Sequence, residues 1–239
     1  MGFYEEIAKH YDDIFPAGKV QEELLLQMAG EPEADVLDIA CGTGGYSISL
    51  AMAGHNVTAV DLDEKMIDAL KDKVKDRKLN IKAHKMNMMD IADLKTSFDL
   101  AYCIGNSLVH LDSLEQVTHF LKEAKKVLKK GKLVIQIINY DRILKQNIKS
   151  LPTIENKEAG LTFERLYRYD KADNKVYFKT ILNVDEKTYD NEIPLLPIAS
   201  DELESSLKEA GFEDVLMYGD FKKSPYDKDE SYALVAVAK

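Results

Sequence analysis

The stretch VLDIACGTGG, Val36 to Gly45, constrains the chain more than any other. It sets an apolar run around one acid, Asp38, and then places three glycines among its last four residues. Glycine tolerates positive φ and carries no Cβ, so such a loop lets backbone come close to backbone or to a ligand. Tyr46 to Ala53 then reads as a short helix closed by Gly54. An apolar strand, a glycine hinge and a helix in succession form the layout of a nucleotide site.

Apolar runs alternate with helical periods through the first 140 residues, which argues for a parallel sheet with crossover helices. Strands are expected at about 35–40, 56–60, 80–86, 98–104 and 132–138. A helix starting at Asp112, with Glu115 three residues on as its capping partner, places Leu114, Val117, Phe120, Leu121, Ala124, Val127 and Leu128 on one face before Gly131. Residues 3–14 and 18–29 read as helices, the first with an apolar stripe of Tyr4, Ile7, Ala8 and Tyr11.

After Asp141 the period changes. Residues 161–169 alternate with Leu161, Phe163 and Tyr167 on one face, and 176–184 alternate with Val176, Phe178, Thr180, Leu182 and Val184. Turn residues between Asp170 and Lys175 join them, so an antiparallel hairpin is expected. A helix from Ser200 to Ala210 and two strands at about 213–218 and 231–238 follow, and their short connection makes these last strands antiparallel neighbours. The expected fold is α/β, a doubly wound, mostly parallel seven-stranded sheet with an antiparallel last strand and a small antiparallel β cap. The expected units are 1–140 (lid helices and cofactor part), 141–195 (inserted cap) and 196–239 (the return to the main sheet).

The chain has 239 residues, 45% of them hydrophobic, which is enough for a full core. A net charge of -10 disfavours nucleic acid, because phosphate contacts supply most of that affinity. The opening MGFYEEIAKHYDDIF has no apolar stretch behind basic residues, and nowhere do eighteen apolar residues run together, so no membrane partner is expected. Cys41 and Cys103 suit a reducing compartment and make no zinc site. The expected location is cytoplasmic.

A dinucleotide fingerprint needs a third glycine, and counting from Gly42 and Gly44 that position is Ser47. Asp38 would repel a pyrophosphate and welcome a cation. The loop also lacks the lysine of a phosphate-cradling G-x-x-x-x-G-K-[ST] pattern.

With Asp38, Cys41, Gly42 and Gly44 in D-x-x-C-G-T-G, and Asp61 in VTAVDLDEKMI at the end of the next strand, the chain resembles the class I S-adenosylmethionine-dependent methyltransferases. The resemblance implies their Rossmann-like fold, with S-adenosylmethionine as cofactor. It implies that the glycine loop backs the methionine and ribose part, that Asp61 accepts both ribose hydroxyls, and that Leu62 and Met66 join the same site. Asn87, Met88 and Met89 in KMNMMDI resemble the adenine-contacting stretch, while Ile104 and Gly105 in FDLAYCIGNSLVHL stand where the family approaches the sulfonium. Tyr11 in YDDIF lies at the expected lid.

No DPPY or NPPY signature follows the fourth strand, which sets aside exocyclic amino-nucleobase acceptors. Cys103 to Leu111 and Asn139 to Leu144 are similar to the glycine and sarcosine N-methyltransferase branch. That likeness implies that Asn106, Asn139 and Tyr140 line an acceptor pocket, with Asn106 and Tyr140 at the chemistry and Arg165 and Tyr167 of the cap nearby. His110 is either a base or a helix-start histidine held by backbone. The expected activity is methyl transfer to a small molecule, an amine for preference. The alternatives are an O- or C-methyltransferase on an apolar acceptor and a non-catalytic module that binds the cofactor or its demethylated product.

In the glycine-methylating branch an arginine precedes Asn-Tyr-Asp and grips the substrate carboxylate, whereas Ile138 stands there in this chain. An acceptor without a free α-carboxylate is therefore expected. Arg165 or Arg168 could replace that arginine only if its side of the strand faces inward.

Overall fold

The computed structural model of the protein describes residues 7–128 and 130–239. A 3-10 turn, Ala8–His10, leads into α1 (Tyr11–Ile14), α2 (Lys19–Ala29), β1 (Asp35–Ile39), α3 (Gly45–Met52), β2 (Asn56–Asp61), α4 (Glu64–Val74) and β3 (Ile81–Lys85). A 3-10 segment, Met88–Leu94, precedes β4 (Leu100–Cys103), and another, Leu108–His110, precedes α5 (Leu114–Val127), β5 (Lys132–Ile138) and α6 (Tyr140–Lys145). The cap follows as β6 (Ser150–Asn156), β7 (Leu161–Asp170), β8 (Lys175–Val184) and β9 (Lys187–Leu195), and α7 (Ser200–Glu209), β10 (Val215–Tyr218) and β11 (Ala233–Ala238) return to the main sheet.

The main sheet has seven strands in the order β10-β11-β5-β4-β1-β2-β3. Strands β1 to β5 are parallel, and β11 runs antiparallel to both β5 and β10. The near-continuous apolar character of β1, β4 and β5 is what strands covered on both faces require. On one face Leu24 and Leu25 of α2 and Leu50 of α3 pack on Val36, Val57, Leu100 and Val134. On the other, Phe120, Leu121 and Ala124 of α5 and Leu203 and Leu207 of α7 pack on Leu37, Ile39, Leu133 and Ile135. The chain winds outward from β1 through β2 to β3, then crosses back to place β4 on the other side of β1. The carboxyl ends of β1 and β4 thus open the crevice where ligands bind in sheets of this kind.

The cap is a four-stranded antiparallel sheet in the order β6-β7-β8-β9, so the expected hairpin, β7 and β8, gains a strand on each side. Those outer strands escape a periodicity reading because they are polar and carry Pro152 and Pro194, which an edge tolerates. The expected face, Leu161, Phe163 and Tyr167 with Val176, Thr180 and Leu182, is the buried one. The expected helix over 3–14 is described only from residue 7 onward, as the 3-10 turn and α1; Tyr4 lies outside the described residues. Ile7 and Ile14 pack on Leu161, Phe163, Leu182 and Val184 of the cap, and the Asn156 amide donates to the Asp13 carbonyl at 3.1 Å. No helix among the described residues is long and apolar enough to cross a membrane.

The start of α5 differs by one residue from the expected Asp112. Ser113 is the cap, its hydroxyl accepting the Gln116 amide at 3.4 Å, while the Gln116 side chain accepts the Asp112 amide at 3.0 Å. The partner is therefore Gln116 rather than Glu115. Ser113→Ala should lower stability by about 0.5–1 kcal/mol in denaturant titration, the range for a lost cap, and Asp112→Ala should cost less. The reverse ranking would restore Asp112 as the cap.

Candidate active site

The hinge after β1 turns through left-handed backbone at Ala40 (φ 58), Gly42 (φ 54) and Gly44 (φ 77). A non-glycine residue in that region costs free energy, and such positions cluster at functional sites. The two glycines serve different ends. A Cβ on Gly42 would sit 3.1 Å from the Tyr11 ring, so its absence lets the lid tyrosine lie on the loop. A Cβ on Gly44 would sit 2.3 Å from Leu70 of α4, so Gly44 permits packing between layers. Gly44 itself lines neither of the two cavities described below.

Asp61, at the carboxyl end of β2, accepts the Gly42 amide at 2.8 Å on one oxygen and the Asp63 amide at 2.9 Å on the other. Each oxygen keeps a lone pair for a further donor. Burial pushes this carboxyl's pKa up, and the backbone donors oppose the shift. Asp38, buried within β1, accepts the Ser47 hydroxyl at 2.6 Å. Burial raises its pKa to about 7, with Ser47 and Tyr102 pulling it down. Tyr102 faces Asp38 in register from β4, near enough to act on its charge, yet its buried hydroxyl has no partner of hydrogen-bond geometry among the described residues. The Cys41 thiol points to the Gly42 carbonyl at 3.4 Å, and burial followed by the Asp38 charge drives its pKa far up, so no thiolate forms.

The end of β4 has a second left-handed pair, Gly105 (φ 85) and Asn106 (φ 70). Gln136 of β5 holds both, its side chain accepting the Gly105 amide at 2.8 Å and its carbonyl the Asn106 amide at 3.2 Å. The Asn106 side chain accepts the Ile138 amide at 2.9 Å and donates to the Tyr140 hydroxyl at 3.3 Å, where the Tyr167 hydroxyl is the next neighbour. The sequence signal for Gln136 is a single amide inside the apolar run LVIQII.

Two cavities open around these loops. The larger, about 920 Å³, holds Asp61, Leu62, Met66, Asn87, Met88 and Met89. The Asn87 side chain accepts the Met89 amide at 3.0 Å and so fixes that turn. The smaller, about 410 Å³, holds Asp38, Cys41, Ile104, Asn106, Arg165 and Tyr167. Tyr11, Ala40, Gly105 and His110 line both cavities and form the seam between them. The His110 ring is open to solvent through the cavities but closely surrounded by protein, and this desolvation lowers its pKa.

Two expected pocket residues are corrected. Asn139 is fully buried, its amide donating to the carbonyls of Asp227, Lys228 and Ser231 and its carbonyl accepting the Arg142 amide and the Tyr226 hydroxyl. It pins the loop before β11 and has no capacity left for a ligand. Tyr140 is also buried, lines neither cavity, and meets the smaller one through Asn106 and the Tyr167 hydroxyl. Arg165 lines the smaller cavity, whereas Arg168 points outward to the Tyr177 ring at 4.1 Å and to Asp170 and Glu192. The inward-facing condition set from the sequence is thus met by Arg165 alone of the two.

A lid completes the enclosure. Asp12 of α1 accepts the Thr43 hydroxyl at 2.5 Å and pairs with Lys73 of α4 at 2.5 Å, while Lys73 also donates to the Thr43 carbonyl at 3.1 Å. This network straps α1 across the glycine loop.

Residues 36–131 match the family model described as a methyltransferase domain. A glycine/sarcosine N-methyltransferase of Aphanothece halophytica is 31% identical over 217 residues, covering 85% of this chain and 75% of the relative. Among solved structures, an S-adenosylmethionine-dependent methyltransferase from Clostridium acetobutylicum superposes with a TM-score of 0.81 at 18% identity, covering 100% of this chain and 99% of that one. The CcbJ methyltransferase of Streptomyces caelestis gives 0.83 at 21% identity, covering 98% and 95%. These two share the fold, and the Aphanothece relative carries the likeness to the level of family. The chain belongs to the class I S-adenosylmethionine-dependent methyltransferases, and S-adenosylmethionine is its cofactor.

Proposed function

We propose that the protein transfers a methyl group to the nitrogen of a small-molecule amine, with the cofactor's adenosine end in the larger cavity and the acceptor in the smaller. The observation that carries this reading is the seam of Tyr11, Ala40, Gly105 and His110, the shared wall of two cavities. The Aphanothece relative, named for N-methylation, supports nitrogen as the acceptor atom.

The residues present suit the cofactor. Asp61 has acceptor capacity for two hydroxyls, and charge-assisted bonds to a carboxylate are roughly twice as strong as neutral ones. Met88 and Met89 offer a polarizable apolar wall for a purine. Asp38 presents a buried carboxylate to a cation. When bound, the cofactor supplies a methyl group activated by a sulfonium.

The chain's own contribution is alignment, dryness and a place for a proton. Asn106, held by Ile138 and Tyr140, lines the acceptor cavity with a fixed amide. Tyr11, strapped down through its neighbour Asp12, covers the seam against water. An amine needs its lone pair, so an ammonium must lose a proton before it reacts. His110 lines the seam with a lowered pKa and is therefore largely neutral near pH 7, able to take that proton.

Asp61→Ala should weaken binding of S-adenosylhomocysteine by about 1.5–3 kcal/mol, roughly ten- to a hundred-and-fifty-fold by calorimetry, with the fold intact. An unchanged affinity would remove Asp61 from the ribose site.

Asp38 gives the pH dependence its sign. With its pKa at about 7, the free protein holds a proton there at pH 6 that a nearby cation must displace. Affinity for S-adenosylmethionine should therefore rise about tenfold more between pH 6 and pH 8 in the unaltered protein than in Asp38→Asn. Parallel pH profiles would place the cation away from Asp38.

Labelled cofactor offered to amine and phenol panels tests the acceptor atom. Turnover confined to amines is expected. Turnover confined to phenols would establish an O-methyltransferase, and none with either, despite tight cofactor binding, would favour a binding module.

A further inference from the structure

Arg165 stands at the middle of β7, in register with Leu151 on β6 and Thr180 on β8. It lies on the inner face of the cap, between Phe163 and Tyr167. Among the described residues that line the smaller cavity it is the one lysine or arginine. Its Nη2 donates to the Pro152 carbonyl at 2.6 Å, which fixes the guanidinium, while its buried Nε has no acceptor among the described residues.

The acids of the same cavity are engaged elsewhere, Asp38 by Ser47 and Asp12 by Thr43 and Lys73. A guanidinium keeps its charge at any pH a protein survives, so it cannot relieve its burial by losing a proton. A buried donor left unmet is costly, and an oxygen anion in the cavity would meet it. Arg168, on the outer face of the same strand, shows the contrast: an aromatic ring and two carboxylates already satisfy it.

The surroundings fix the rest of the occupant. Phe15, Leu151, Tyr167 and Phe178 wall a cavity of about 410 Å³, room for a body well beyond two carbons. We propose that the methyl acceptor is an amine carrying an anionic group on an aryl or alkyl body, the anion paired with Arg165 and the body against Tyr167 and Phe178. This rests on the amine reading above and names the substrate class for that site. The expectation of an acceptor without a free α-carboxylate held only while no hairpin arginine faced inward, and Arg165 does. Ile138 leaves one wall of the cavity without a cation, and the cap supplies one from β7.

A carboxylate could come from the acceptor or from the cofactor's own amino-acid end. The test separates the two. Calorimetry on protein saturated with S-adenosylhomocysteine should show 3-phenylpropionate binding at least tenfold more tightly than the uncharged 3-phenylpropionamide. Arg165→Gln should abolish that preference and leave affinity for S-adenosylhomocysteine within twofold, Arg165→Lys should restore part of the preference, and Arg168→Gln should retain all of it. The comparison in the unaltered protein stands even if a variant fails to fold. Equal binding of acid and amide, no binding of either, or a preference that survives Arg165→Gln would overturn the proposal. So would a tenfold loss of S-adenosylhomocysteine affinity in Arg165→Gln, which would put the guanidinium on the cofactor. Acid preference without turnover of any amine would sink the amine reading and leave the anion site standing.

Discussion

The carboxylate of Asp61 joins two loops that the sheet alone would leave independent. By taking the Gly42 amide on one oxygen and the Asp63 amide on the other, it locks the turn after β1 to the turn after β2. The left-handed hinge at Ala40 and Gly42 is affordable because those bonds hold it. Tyr11 then settles on Gly42, where a side chain would have kept it off. Lid, loop and carboxylate form one unit at the point where the strand order reverses.

The smaller cavity is built from a different material. The Gln136 side chain holds the Gly105 amide, and the Asn106 side chain bonds the Ile138 amide and the Tyr140 hydroxyl, which ties β5, the end of β4 and α6 together. Buried polar groups joined in this way set position more than they add stability. The cap closes over them with a face that is apolar except where Arg165 and Thr180 interrupt it. The N-terminal segment touches both halves, through Asp12 to the glycine loop and through Ile14 and Phe15 to the cap. Movement of α1 is therefore tied to both cavities together.

The main sheet was legible because burial on both faces leaves apolar runs that few other arrangements produce. Asp61 and Gly42 could be paired on spacing and chemistry, and the hydrogen bond between them joins the two loops. Ser113 is not separable from Asp112 by sequence, because Asp112 is an equally good capping residue one position earlier. The edge strands β6 and β9 carry polar residues and proline, so alternation does not mark them. Asn139 was misplaced because a motif shared with a family says which residue is present and not which way it turns, and here it turns to the loop at 227–231. Arg165 falls on the same parity as Phe163 and Tyr167, yet a charged residue in such a run reads as a break in the pattern rather than as part of the face.

The division of labour between the two cavities can be seen directly in a crystal structure of the S-adenosylhomocysteine complex. The expected result is adenine against Met88 and Met89, ribose hydroxyls on Asp61, and the sulfur at the seam beside Tyr11 and Gly105, with the cavity around Arg165 left open to an acceptor. Density for the adenosine among Arg165, Tyr167 and Phe178, or none at Asp61, would contradict it.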